Sequence, residues 1–214
     1  MNWLQMASYK SLAFALVVSV LLAACAGPET KEAATKPGAG DKAAAPAISP
    51  EATSKYEAAL KAMRDNDTPR AEQLLTELAK AHPELSGPYT NLGILYYRES
   101  KVDEAEKAFQ SAIQVNPNSA VSYNHLGIIS RNKGKFKEAQ QLYEKALQIN
   151  PDYAYAHLNL GILLDLYIGD LPKALEEYNR YQTLIKGKDE EVKKWIVDLE
   201  RRIKKANNIK KANK

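Results

Sequence analysis

Pro83, Pro117 and Pro151 stand 34 residues apart, and Leu92-Gly93, Leu126-Gly127 and Leu160-Gly161 recur at the same step, as do Ala71, Ala105 and Ala139. Three residue classes in one register mark a stacked array of short structural repeats. A unit of this length cannot bury its apolar side alone, so neighbouring units must stack into a solenoid with a concave face. The spacing predicts about four stacked units over residues 51–187, of about 52–85, 86–119, 120–153 and 154–187.

The second unit carries Tyr89, Leu92, Gly93, Tyr96, Ala105, Phe109, Ala112 and Pro117, and the third Tyr123, Leu126, Gly127, Ser130, Ala139, Tyr143, Ala146 and Pro151. The fourth has His157, Leu160, Gly161 and Leu164, then Ala174, Tyr178 and Tyr181 shifted by one residue through the longer turn LDLYIGDLP. The first is degenerate and keeps Ala59, Ala71, Leu75, Leu78 and Pro83. This register resembles the tetratricopeptide repeat, with Tyr for the usual Trp in the second unit and Ser130 as the one departure in the third. The resemblance implies an all-α chain, a right-handed α-solenoid of about four antiparallel helix pairs, in which small Gly and Ala let the two helices approach, Leu and aromatic residues fill the seam, and Pro, which lacks an N–H and clashes with the preceding turn, stops each second helix. Residues 188–214 follow it, and Val192, Trp195, Ile196, Leu199 and Ile203 at helical spacing read as a C-terminal capping helix.

In the tetratricopeptide family the first helix of each pair lines the concave groove. Carried onto this chain, the sixth residues of the units are Asn91, His125 and Asn159, a ladder suited to hydrogen-bonding the backbone of an extended peptide. Beside them stand Thr90 and Asn124 at the fifth position, Ile94, Ile128 and Ile162 at the ninth, and Tyr97, Arg98, Arg131 and Asp165 further along. The same ladder could instead bond neighbouring helices to one another. The family's carboxylate clamp needs a basic fifth position, and Tyr56, Thr90, Asn124 and Leu158 do not supply it, although Arg98 and Arg131 remain able to grip an acidic side chain.

Catalytic patterns are lacking. His82, His125 and His157 show no metal-ligand spacing, and there is no Gly-x-Ser-x-Gly, P-loop or dinucleotide fingerprint. His157 occupies a core-aromatic position of its unit. The expectation is a non-catalytic protein without metal or small-molecule substrate.

Lys10 precedes the apolar run Ser11–Leu22, and Ala23, Ala24 and Cys25 follow, which is the charged, apolar and small-residue order of an export signal. The run is too short to span a bilayer, which takes about 20 residues. Leu22-Ala23-Ala24-Cys25 resembles the lipobox of bacterial lipoproteins. That resemblance implies a signal peptide over 1–24 and an acylated Cys25 as the first mature residue, with no cofactor beyond this covalent lipid. A thiolate is the strongest side-chain nucleophile for accepting a lipid group. Ala26 after the cysteine resembles the default for sorting to the outer membrane, facing the periplasm. Residues 25–50 are nearly all Ala, Pro, Gly, Lys and small polar residues and read as a flexible linker.

Net charge is +4, from 30 basic and 26 acidic residues. That bias is too weak to imply nucleic acid, which an exported protein does not meet. Seven basic residues and no acid lie between Arg201 and Lys214, so this tail could touch an anionic surface or simply complement the dipole of a helix C-terminus. The expected function is that of a lipid-anchored scaffold of the cell envelope, binding a protein or peptide in its groove. Small lipoproteins of this family serve as pilotins for pilus or secretion channels, in outer-membrane assembly complexes and as adaptors for cell-wall enzymes. The alternative is binding of lipid or wall polymer through the tail, with the repeats as a spacer.

Overall fold

The computed structural model describes residues 48–212, which form nine α-helices and no strand. Four helix pairs come first: α1 (Pro50–Arg64) with α2 (Thr68–Ala81), α3 (Ser86–Arg98) with α4 (Val102–Val115), α5 (Ala120–Asn132) with α6 (Phe136–Ile149), and α7 (Ala154–Leu163) with α8 (Leu171–Leu184). The single helix α9 (Glu190–Ala212) closes the series. Cys25, the signal segment and most of the linker lie outside the described residues.

The first helix starts at Pro50, where the linker was expected to end. Ser49 caps it, its hydroxyl accepting from the Ala52 N–H at 3.1 Å, and Pro50 occupies the first turn. A proline fits there because that turn has no use for its missing N–H.

Three of the four pairs are held by one contact repeated along the stack. The ring of Phe109 lies on Gly93, that of Tyr143 on Gly127 and that of Tyr178 on Gly161; a Cβ added to these glycines would stand 2.6, 2.6 and 2.7 Å from the ring. All three rings are buried. Fully buried alanines (Ala71, Ala105, Ala139 and Ala174) bring the second helix equally close from its own side. The apolar positions thus form a series of core clusters along α1 to α9, the last ending on Val192 and Leu199, with Trp195 packed against Tyr178 at 5.8 Å between ring centroids.

First helices of successive pairs also touch, α3 with α5 and α5 with α7, whereas second helices have no comparable contact with one another. The stack therefore curves with its first helices on the inner side.

The turn inside each pair passes through a left-handed residue: Asn66, Ser100 and Gly134, at steps of 34, and then Gly169, one residue late. The shift seen in the fourth unit has a defined form. Residues Leu164–Ile168 make a π-helical turn, closed by the Gly169 N–H donating to the Leu164 carbonyl at 2.8 Å, and the wider turn absorbs one extra residue. Downstream residues recover their packing as Ala174 and Tyr178.

Overpacking a filled seam costs about 1–3 kcal/mol. Gly127→Ala and Gly161→Ala should each lower stability by that amount in thermal unfolding followed by circular dichroism. Wild-type stability in either variant would show that the glycines are not required by the helix approach.

Candidate functional site

The inner face is built from α3, α5 and α7 with the π turn, and most of its polar side chains are already engaged. Asn91 donates both amide hydrogens, to the Tyr56 hydroxyl at 2.6 Å and to the Gly87 carbonyl at 3.0 Å. Asn159 donates to Asn124 Oδ1 at 3.0 Å, with both residues buried. Thr90 shares a 3.0 Å hydrogen bond with the buried Ser122, and Asn132 donates to the Tyr97 hydroxyl at 3.1 Å. Three of these pairs, Tyr56–Asn91, Tyr97–Asn132 and Asn124–Asn159, are separated by 35 residues. That is one repeat plus one residue: adjacent first helices set the fifth position of one unit beside the sixth of the next in two of the pairs, and the twelfth beside the thirteenth in Tyr97–Asn132. Of the ladder of Asn91, His125 and Asn159, the two asparagines stitch neighbouring units together, through Tyr56 and Asn124.

His125 breaks the series. Its ring stacks on Phe109 at 4.9 Å with only 4° between planes, lies 6.2 Å from Tyr97, and encloses Nδ1 without a hydrogen-bond partner among the described residues. Burial, with some repulsion from Arg98, lowers its pKa to about 4, so it is neutral at pH 7. His157 is the opposite case. Burial alone would lower its pKa, but a 2.6 Å contact with Glu177 and a 2.9 Å contact with the Pro151 carbonyl outweigh it and the pKa is raised.

Ile94, Ile128 and Tyr97 are half-buried and Arg98 is exposed, whereas Ile162 is buried. The Asp165 side chain, in the π turn, is only 8% exposed and accepts from Arg202 of α9 at 2.7 Å. Arg131 is buried at 5% exposure, and its Nη1 has no hydrogen-bond partner among the described residues. The inner surface is therefore an apolar strip of Ile94 and Ile128 flanked by Tyr97, Arg98 and the edge of Arg131.

A second surface had no counterpart in the sequence reading. The π turn exposes Leu166, Tyr167 and Ile168, and Tyr167 packs on Phe136 at 4.7 Å between ring centroids. The extra residue in LDLYIGDLP was the available signal. Among the described residues no group of His, Cys, Asp and Glu could hold a metal ion, and no helix is long and apolar enough to cross a membrane.

The family model of the tetratricopeptide repeat matches residues 84–152 and, one repeat further on, 118–186. Over that stretch, just under half of the chain, the sequence is similar to arrays of tetratricopeptide repeats. No curated protein matches the sequence. Among solved structures the chain is similar to Pseudomonas aeruginosa pilF (18% identity, 72% of this chain and 69% of that one, TM-score 0.64). It is also similar to MamA from Desulfovibrio magneticus RS-1 (18% identity, 74% and 88%, TM-score 0.61). The Thermobaculum terrenum O-GlcNAc transferase is similar over 62% of this chain but 26% of its own (21% identity, TM-score 0.56), so the fold also occurs within a larger enzyme. Likeness at such identities extends to the fold alone.

The two histidines give opposite pH dependences. The unfolded chain protonates His125 near its ordinary value of 6.5, the folded chain only near 4. Stability is thus highest above 6.5 and falls as pH drops towards 4, by about 3 kcal/mol at most. His157, with its raised value, stabilises below its unfolded pKa and loses that contribution as pH rises through its folded one, which partly offsets the acid loss. His125→Asn, which installs the sixth-position residue of the neighbouring units, should flatten urea-measured stability between pH 4 and 6.5 relative to wild type. An unchanged slope would mean that His125 protonates freely in the folded state.

Proposed function

We propose that this protein is a non-catalytic, lipid-anchored adaptor of the bacterial cell envelope, which holds a partner protein or peptide against its inner helix face to support assembly of an envelope complex. The observation that carries the groove reading is the partly buried apolar strip of Ile94 and Ile128 on α3 and α5, beside Tyr97 and the exposed Arg98. Apolar side chains left open on the inside of a solenoid, beside polar anchors, suit a bound protein segment. The anchor rests on Leu22-Ala23-Ala24-Cys25 and the preceding apolar run, and attachment to the outer membrane on its periplasmic side rests on Ala26. Two or three acyl chains make a stable anchor at about 0.8 kcal/mol per buried methylene. A flexible linker of about 25 residues would reach about 80 Å at full extension, which would place the repeats in reach of a membrane-bound assembly without pressing them on the bilayer.

A second reading has one observation in its favour. Helix α9 runs on past its last packed residue, Ile203, and residues 204–212 are all exposed, with Lys204, Lys205, Lys210 and Lys211 and a 53% exposed Ile209. Near an anionic membrane each such lysine contributes about 1 kcal/mol. Sedimentation with phosphatidylglycerol vesicles, steeply weakened by salt and lost on truncation after Glu200, would favour this reading.

Two experiments test the leading one. Cys25→Ser should abolish acyl labelling and release the protein from membranes; retention after a salt wash contradicts the anchor. A photo-crosslinking amino acid at position 94 or 128 should capture a protein partner in cells, and one at Gln110 or Glu144, exposed on second helices, should not. Capture from the second helices alone would remove the groove reading.

A further inference from the structure

A single large apolar side chain on a surface is ordinary, but three in succession on one turn are not. Leu166, Tyr167 and Ile168 of the π turn are 54%, 36% and 43% exposed, whereas the other exposed large apolar residues, Ile48, Tyr155, Val197 and Ile209, are isolated in the sequence. Phe136 extends the patch onto the first turn of α6, its ring 4.7 Å from that of Tyr167. Cations stand on both sides. Lys135 and Lys137 flank Phe136 and line one shallow open hollow with it. Lys137 makes no ion pair among the described residues, and Lys135 makes one, a 3.4 Å contact with the exposed Glu138. On the other side Asp165 accepts from Arg202 at 2.7 Å, which sets that face of α9 against the π turn. Lys205 and Ile209 follow Arg202 at steps of three and seven, on the same helix face. That face therefore carries a lysine and an exposed isoleucine out beyond the last packed residue, Ile203. Lys204, Lys205, Lys210 and Lys211 make no ion pair among the described residues.

We propose that the π turn is a membrane-contacting tip: Leu166, Tyr167 and Ile168 enter the headgroup region of an anionic phospholipid bilayer, while Lys135, Lys137 and the lysines of α9 lie against its phosphates. This rests on the second reading above, in which the α9 lysines meet an anionic membrane, and assigns the apolar part of that contact. Three consecutive exposed side chains on a turn form a protrusion, which must itself be taken in by its partner, and the boundary between headgroups and acyl chains accepts aliphatic residues and the amphipathic ring of tyrosine. Lysine stems are long enough to lie along the apolar patch while their ammonium groups stay at the level of the phosphates. The uncompensated positive charge around the patch selects a negative surface. The linker does not impose this contact, and the strip of Ile94 and Ile128 takes no part in it.

The test uses the full chain with Cys25→Ser and Leu166→Cys, so that position 166 holds the one thiol and no acyl anchor is present. A nitrobenzoxadiazole label there should brighten and shift to the blue on vesicles of phosphatidylglycerol and phosphatidylcholine in equal parts. The same label in Gln110→Cys, exposed on α4, should not change, and residues 1–47 are common to both proteins. Pure phosphatidylcholine should bind at least tenfold more weakly, as should Lys135→Glu with Lys137→Glu on the mixed vesicles, and Tyr167→Ser with Ile168→Ser should remove the shift. No change at position 166, an equal change at position 110, or equal binding to pure phosphatidylcholine overturns the proposal. So does a blue shift that appears without vesicles and grows with protein concentration, because the turn then packs on a second copy of the chain. Salt-sensitive sedimentation of the unlabelled Cys25→Ser chain with the mixed vesicles separates the two levels. If it occurs while the label at 166 stays unchanged, only the tip is lost and the tail reading stands; if it does not occur, both are lost.

Discussion

The seam between the two helices of the last three units depends on an aromatic ring packed against a backbone that has no Cβ. Phe109 on Gly93, Tyr143 on Gly127 and Tyr178 on Gly161 repeat this contact, and each ring leaves no room for even one added carbon. Close approach within a pair fixes how far the next pair can settle, and so brings first helices into contact along the inner side. The extra residue of the fourth unit shows how firmly this constraint is held. The chain widens one turn into a π-helix and exposes Leu166, Tyr167 and Ile168 before it would let Tyr178 slip from Gly161.

Contact between first helices also decides what the inner face can offer a partner. Polar side chains at the fifth and sixth positions face one another across adjacent units and bond there, as Asn124 with Asn159 and Tyr56 with Asn91. Buried polar groups must be satisfied, and these are satisfied inside the solenoid. What remains partly open is an isoleucine strip beside the exposed Arg98, whereas His125 is stacked on Phe109 and Arg131 is buried. Specificity would then lie in charge set beside an apolar track, at the centre of the array.

The helix pairs were legible in the sequence because Gly, Ala, Leu and Pro recur at one period and each has a single packing reason to do so. The expectation that first helices line the inner face came from the resemblance to the tetratricopeptide repeat and not from the spacing. The use made of that face was not legible. A repeat reading lines up Asn91 with Asn159 at multiples of 34, whereas the bonds run at 35, between different positions of neighbouring units. The one-residue shift before Ala174 signalled an insertion, but only the structure shows that it becomes a π turn that lifts Asp165 into reach of Arg202. Burial of Arg131 was likewise hidden, since an arginine in a repeat without a carboxylate at its helical spacing reads as a solvated residue.

A double-mutant cycle on Gly127 and Tyr143 tests the central constraint most directly. If the ring against the bare backbone sets the helix approach, Tyr143→Leu opens the space that Gly127→Ala fills, and the two changes together should destabilise by at least about 1 kcal/mol less than the sum of the separate losses. Strict additivity would contradict it, and would mean that glycine and ring are neighbours without being the contact that positions the helices.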